Sequence, residues 1–157
     1  MASSSGGYDD GYESCCCFWG KTPGSLITLL VDRMKDLRDV RVLDVGCGEG
    51  KNAMYLARLG AKVEAWDVSK RALENAKGAW EDSELVMWNR GDVRDLVLSE
   101  DSYEIIVMYG LLHCLSNQHE TDRVISEAQG ACRDGGYHVV VAFNDRRQEL
   151  HAHPGFR

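Results

Sequence analysis

The stretch Val40-Arg41-Val42-Leu43-Asp44-Val45-Gly46-Cys47-Gly48-Glu49-Gly50-Lys51 decides the fold. Its first six residues form a short β-branched run that ends at glycines, the pattern of a buried strand. Gly46, Gly48 and Gly50 then occupy alternate positions, where a side chain would block the close approach of backbone to a ligand. Lys51 to Leu59, closed by Gly60, reads as the helix that follows. Strand, glycine-rich turn and helix together open an α/β sheet. A dinucleotide site would read G-x-G-x-x-G and use the helix N-terminus for a pyrophosphate. Here the third glycine comes one position early and Lys51 stands where it is expected, which disfavours NAD or FAD.

Working outward, Ala61 to Trp66 supplies a second strand, Ser69 to Trp80 a helix and Glu84 to Trp88 a third strand. Tyr103 to Tyr109 is a near-continuous apolar run, His119 to Cys132 a helix, and Tyr137 to Phe143 a strand after the turn Asp134-Gly135-Gly136. This alternation predicts a doubly wound, mostly parallel sheet of three layers, Rossmann-like, with its ligand outside the carboxyl ends of the strands. Upstream, Leu26, Ile27, Leu29, Leu30, Met34 and Leu37 recur at helical spacing between Pro23 and Leu37, with Ser25 as a candidate cap. Residues 1–7 are small and polar and read as a disordered lead-in. Residues 8–38 then form an N-terminal segment with its helix, and 39–157 the sheet core.

A chain of 157 residues with 44% apolar content suits one α/β core and is too short for two comfortable domains. The net charge of −7 argues against a surface built to release counterions from nucleic acid, so a small or neutral acceptor fits better. The absence of a long apolar window or a leader pattern predicts a cytoplasmic protein without a membrane partner. Cysteines 15, 16, 17, 47, 114 and 132 lack the spacing of a disulfide framework or a zinc site, so reduced thiols and no metal are expected.

Asp67 ends the second strand 21 positions after Gly46, where a carboxylate can accept both hydroxyls of a ribose; the bland alternative is a strand-end Asp capping the next helix. Gly91-Asp92-Val93 follows the third strand, where Asp92 could accept an adenine amino group while Val93 packs on the ring, or could serve as an ordinary turn Asp. His113 follows the fourth strand and is the candidate general base, with a packed structural His as the alternative. Asn144 and Asp145, past the fifth strand, could bind an acceptor or cap a turn.

Val42 to Gly50, Ala65-Trp66-Asp67, Gly91-Asp92-Val93 and Gly135-Gly136-Tyr137 together resemble successive motifs of class I S-adenosylmethionine-dependent methyltransferases, over Val40 to about Asp145. Gly50-Lys51-Asn52-Ala53-Met54-Tyr55-Leu56 and Asp134-Gly135-Gly136-Tyr137 are similar to the tellurite-resistance and thiopurine methyltransferase branch. The resemblance implies S-adenosylmethionine as cofactor, S-adenosylhomocysteine as product and a small-molecule acceptor. It implies that Gly46, Cys47 and Gly48 approach the methionine part, with Asp44 ordering the turn from below. Asp67 and Val68 would bind the ribose side, Asp92 and Val93 the adenine, and Tyr109 would lie beside the methionine amino group. Cys17-Phe18-Trp19-Gly20 resembles a lid in which Trp19 excludes water from the sulfonium, or else an apolar staple on the following helix. A weaker reading has Cys15, Cys16, Cys17 and Cys114 hold a soft metalloid.

The family's sheet has seven strands, whereas only residues 144–157 follow Phe143 here. The expectation is a sheet lacking the last two strands, either because the chain is truncated or with its fifth-strand edge covered by a second copy or a swapped segment. Two further readings stay open: a subunit that binds S-adenosylmethionine without transferring methyl, and a dinucleotide-dependent oxidoreductase.

Overall fold

A computed structural model of the chain describes residues 8–143. The expected lead-in at 1–7 and the acceptor candidates Asn144 and Asp145 lie outside the described residues. The elements run α1 (Asp9–Ser14), α2 (Ser25–Met34), β1 (Arg41–Val45), α3 (Lys51–Arg58), β2 (Lys62–Asp67), α4 (Lys70–Ala79), β3 (Val86–Arg90), β4 (Tyr103–Tyr109), α5 (Gln118–Ala131) and β5 (Cys132–Val141).

All strand pairs are parallel, in the order β3-β2-β1-β4-β5. Side chains alternate along each strand, so the central strands feed two cores. Val42, Val63, Ile105 and Val107 pack beneath Ile27, Met54, Leu56 and Leu73 of α2, α3 and α4. Leu43, Val45, Ile106 and Met108 face the other way, onto Val124, Ala128 and Ala131 of α5. Strand order reverses between β1 and β4, and a crevice opens at their carboxyl ends.

Three local departures from the sequence reading have clear causes. Ser25 is the first residue of α2 rather than its cap; Gly24 holds that place, its N–H donating to Asn52 Oδ1 at 2.8 Å. A Cβ on Gly24 would stand 2.4 Å from the Tyr109 ring, so packing rather than capping chemistry selects glycine here. Asp134-Gly135-Gly136 is a bulge inside β5 rather than a turn ahead of it: pairing jumps from Tyr103 with Cys132 to Ile105 with Tyr137. Finally, α1 forms from Asp9-Asp10-Gly11-Tyr12-Glu13-Ser14, a sequence with no helical apolar period. Its stability is tertiary: Tyr12 is buried, its carbonyl accepts from Asn75 Nδ2 at 2.8 Å, and Asp9 Oδ1 accepts from the Ser69 hydroxyl.

Candidate functional site

The glycine turn is built by backbone geometry. Gly46, Gly48 and Gly50 have φ of +73°, +54° and +81°, a region open to glycine at little cost. The N–H groups of Gly46 and Cys47 both donate to the Trp66 carbonyl, at 2.8 and 3.0 Å, which ties the turn to the end of β2. Gly48 N–H donates to Asp67 Oδ2 at 2.7 Å, while Ser69 N–H donates to Oδ1 at 2.8 Å. Asp67 therefore makes the helix-side contact of the bland reading and also stands on the cavity wall. Each of its oxygens carries one donor in these bonds and retains acceptor capacity. Burial raises its pKa, against the lowering by those two N–H groups.

A cavity of about 330 Å³ lies over this turn. Gly46, Cys47, Gly48, Asp67, Val68, Asp92, Val93, Tyr109, His113 and Trp19 all line it. Asp44 does not: it is 1% exposed beneath the turn, and among the described residues its Oδ2 has no hydrogen-bond partner. Burial first, and then the charge of Asp67, push its pKa up to about 7. The third glycine also stays off the wall. Gly50 caps α3, and a Cβ there would fall 2.2 Å from Trp88 Cη2.

Asp92 lines the cavity and is at the same time the turn Asp of the alternative reading. Its carboxylate caps the turn Val93–Asp95 through Arg94 N–H at 2.9 Å and is gripped on both oxygens by the Arg94 guanidinium. That pairing holds its pKa below the ordinary carboxylate range. Asp92 thus spends most of its acceptor capacity within the protein, leaving Val93 and the half-buried Trp66 as apolar cavity wall at this end.

Residues 8–24 roof the cavity. Trp19 and Tyr8 line it and meet edge to face, ring centroids 5.8 Å apart, whereas Phe18 packs within the segment, on Gly11 and Tyr12. Of the two aromatic residues singled out in the sequence, Trp19 thus stands on the cavity wall and Phe18 does not. Glu49 anchors the roof, a role the sequence reading did not assign. Buried in the glycine turn, its carboxylate accepts Cys17 N–H at 2.8 Å, Phe18 N–H at 2.6 Å and Asn75 Nδ2 at 2.8 Å. The available signal was a carboxylate set between two turn glycines with no basic neighbour on its N-terminal side.

His113 is half-buried, and burial lowers its pKa. Its Nε2 is 2.7 Å from the Tyr8 hydroxyl, and Nδ1 accepts a long bond from Phe143 N–H at 3.5 Å. With Nδ1 accepting, the neutral ring carries its proton on Nε2 and donates it to the Tyr8 oxygen. Cys114 lines the cavity, while Cys15 and Cys16 are exposed on the covering segment. Among the described residues no group of three or more His, Cys, Asp or Glu side chains could hold a metal, so the four thiols do not form one soft-ligand cluster.

A sheet of this order, with a glycine turn after β1 and an acidic residue ending β2, is the cofactor half of a class I methyltransferase. The family described as "Methyltransferase domain" matches residues 42–136, and the chain belongs to it. It is 28% identical over 113 residues to a Haemophilus influenzae protein named "Probable S-adenosyl-L-methionine-dependent methyltransferase TehB", covering 72% of this chain and 39% of that one. It is 31% identical over 107 residues to a demethylmenaquinone methyltransferase of Tropheryma whipplei, covering 68% and 43%. The chain thus spans about two fifths of the length of these relatives. Among solved structures, a Haemonchus contortus phosphoethanolamine N-methyltransferase in complex with phosphoethanolamine and S-adenosylhomocysteine superposes with a TM-score of 0.69 at 18% identity, over 83% of this chain and 29% of that one; it shares the fold.

The residues present fit the cofactor of this family. The turn has three residues at positive φ, where glycine is least strained, and the Tyr12 hydroxyl would stand 3.0 Å from a Cβ at Gly48, so the backbone is closely covered. Asp67 offers acceptors on a wall otherwise rich in aromatic and aliphatic groups. No helix is long and apolar enough to cross a membrane among the described residues.

Proposed function

We propose that this chain binds S-adenosylmethionine in the roofed cavity and carries out methyl transfer to a small-molecule acceptor. The observation that carries the reading is the junction of the turn with β2: Gly48 N–H bonded to Asp67 at 2.7 Å under the Trp19 roof. Asp67 would hold the ribose, Val93 and Trp66 the adenine, and Tyr109 the amino-acid end. The bound cofactor supplies a sulfonium methyl group with an excellent leaving group, so alignment and exclusion of water do most of the work asked of the protein. Trp19, Tyr8 and Tyr12 exclude that water. His113, on the cavity wall and joined to Tyr8 at 2.7 Å, would be the base for an acceptor that must lose a proton, burial lowering its pKa and so favouring the neutral ring.

A small acceptor suits a cavity of about 330 Å³ that the cofactor must share. The name of one relative, a demethylmenaquinone methyltransferase, supports a non-polymeric acceptor without selecting one. The net charge of −7 speaks against a nucleic-acid acceptor, and a cytoplasmic setting is the compartment this reading assumes. Among the described residues β5 is a sheet edge with Val140 and Phe143 exposed, and we place a second copy or a swapped segment there.

Calorimetric titration tests the reading. Saturable binding of S-adenosylmethionine and S-adenosylhomocysteine is expected, with NAD not bound and Asp67→Ala weakening the adenosyl ligands about 10- to 100-fold. Binding without methyl transfer to any small acceptor would favour a subunit that only holds the cofactor. Preference for NAD would return the chain to the oxidoreductases.

A further inference from the structure

Three consecutive thiols, Cys15, Cys16 and Cys17, stand in the roof between α1 and the pair Phe18-Trp19. None of the three is among the described residues that line the cavity. Cys15 and Cys16 are exposed and Cys17 is half-buried, whereas Cys47 in the glycine turn is buried. Cys16 Sγ and Cys17 Sγ lie 3.6 Å apart, so that one thiol donates to the other. To bond they must approach by about 1.5 Å.

The backbone joining these two thiols also anchors the roof. Cys17 has φ of +60°, in the left-handed region that is uncommon outside glycine. Its N–H donates to Glu49 Oε1 at 2.8 Å, Phe18 N–H donates to Oε2 at 2.6 Å, and its carbonyl accepts Gly20 N–H at 2.7 Å. Consecutive Cα atoms are about 3.8 Å apart across a trans peptide, closer than the roughly 4.4 to 6.8 Å of ordinary disulfides. A bond between neighbouring cysteines therefore twists the peptide it spans. Here that peptide carries the Cys17 N–H, and twisting it turns the donor away from Glu49. Burial, and then Cys16, raise the pKa of the Cys17 thiol, so the exposed Cys16 is the one that meets a reagent first.

We propose that Cys16 and Cys17 form a reversible modification site for low-molecular-weight disulfides, whose oxidised form, a bond between the two sulfurs, releases the roof from Glu49. Cys16 loses its proton to solvent and attacks one sulfur of the incoming disulfide; that S–S bond breaks, a mixed disulfide forms on Cys16 and the first thiolate leaves. Cys17, deprotonated in turn, attacks Cys16 Sγ, and the second thiolate leaves. The protein gives up two protons and two electrons, and the reagent is reduced to two thiols. A disulfide strained by its own peptide is readily reduced, so excess thiol restores the pair. This chemistry takes place on the roof, whatever molecule the cavity holds.

Glutathione disulfide is the probe, applied to the whole chain and read by mass spectrometry of the intact protein and its peptides. The unmodified protein should lose two hydrogens, in a bond between Cys16 and Cys17, and accumulate little glutathione adduct, because Cys17 expels it. Cys17→Ser should instead hold one glutathione on Cys16, and Cys15→Ser should react as the unmodified protein does. Amide exchange at Cys17 should quicken about 10- to 100-fold in the oxidised protein and slow again after dithiothreitol. A lasting glutathione adduct on Cys16 with Cys17 present, or loss of the reaction in Cys15→Ser, would overturn the pairing. A bond between Cys16 and Cys17 that leaves exchange at Cys17 unchanged would overturn its hold on the roof. No reaction of the folded protein would overturn both.

Discussion

Replacing Asp44 by Asn should make the protein's stability less sensitive to pH, in a way that follows from one buried carboxyl. Asp44 is 1% exposed, its Oδ2 has no partner among the described residues, and its pKa is pushed from 3.8 up to about 7 by burial and by Asp67. The folded state then binds this proton more tightly than the unfolded state does. The carboxyl costs nothing below the unfolded value and costs increasingly more as pH rises toward the folded one. Integrating between those two values, folding loses about 2.5 kcal/mol between pH 5 and pH 8 through this group. Asn has the same shape and does not ionise. Its unpaired amide adds an offset of about 1 to 3 kcal/mol that is the same at both pH values. His113 and His138, whose pKa values burial lowers, titrate alike in both proteins and cancel in the difference. Urea unfolding of both proteins at pH 5, 6.5 and 8 should show Asp44→Asn gaining about 2.5 kcal/mol relative to the parent across that range, or about 5 to 10 °C in Tm. A difference independent of pH would refute the reasoning, because it would mean that Asp44 is as ionised when folded as when unfolded.

Two other substitutions test the turn and the roof. Glu49→Ala removes the acceptor for the N–H groups of Cys17 and Phe18, so amide exchange at these two positions should quicken about 10- to 100-fold and Trp19 fluorescence should become more accessible to acrylamide. Glu49→Gln, which keeps one oxygen, should fall between. Gly50→Ala must place a Cβ at φ +81° and 2.2 Å from the Trp88 ring, so urea unfolding should show a loss of about 2 to 5 kcal/mol.

The parallel sheet was readable because its strands are short apolar runs separated by glycine or charge, and Tyr103–Tyr109 has the bounds its pattern predicts. The second and third strands begin one and two residues later than Ala61 and Glu84, since Ala61 packs in the core ahead of β2 and Ser83–Leu85 forms a short 3-10 turn before β3. What sequence could not show was partnership. Asp92 looks like a free turn carboxylate until Arg94 folds back onto it, and Asp44, expected beneath the turn, is found there without the partner for Oδ2 that an ordering role would need among the described residues. The contacts of α1 with Asn75 and Ser69 span about sixty residues, so no local pattern announces them.

The two hydrogen bonds from Gly46 and Cys47 to the Trp66 carbonyl, followed at once by that from Gly48 to Asp67, have a consequence for what the cavity can measure. They lock the turn after β1 and the carboxylate after β2 into one piece of backbone. The spacing between the groups that would face a ribose and those that would face a sulfur chain is therefore set by main-chain geometry and not by rotamers. Such a site acts as a ruler: it can tolerate changes at either end of a ligand, where side chains adjust, but not a change in length across its middle.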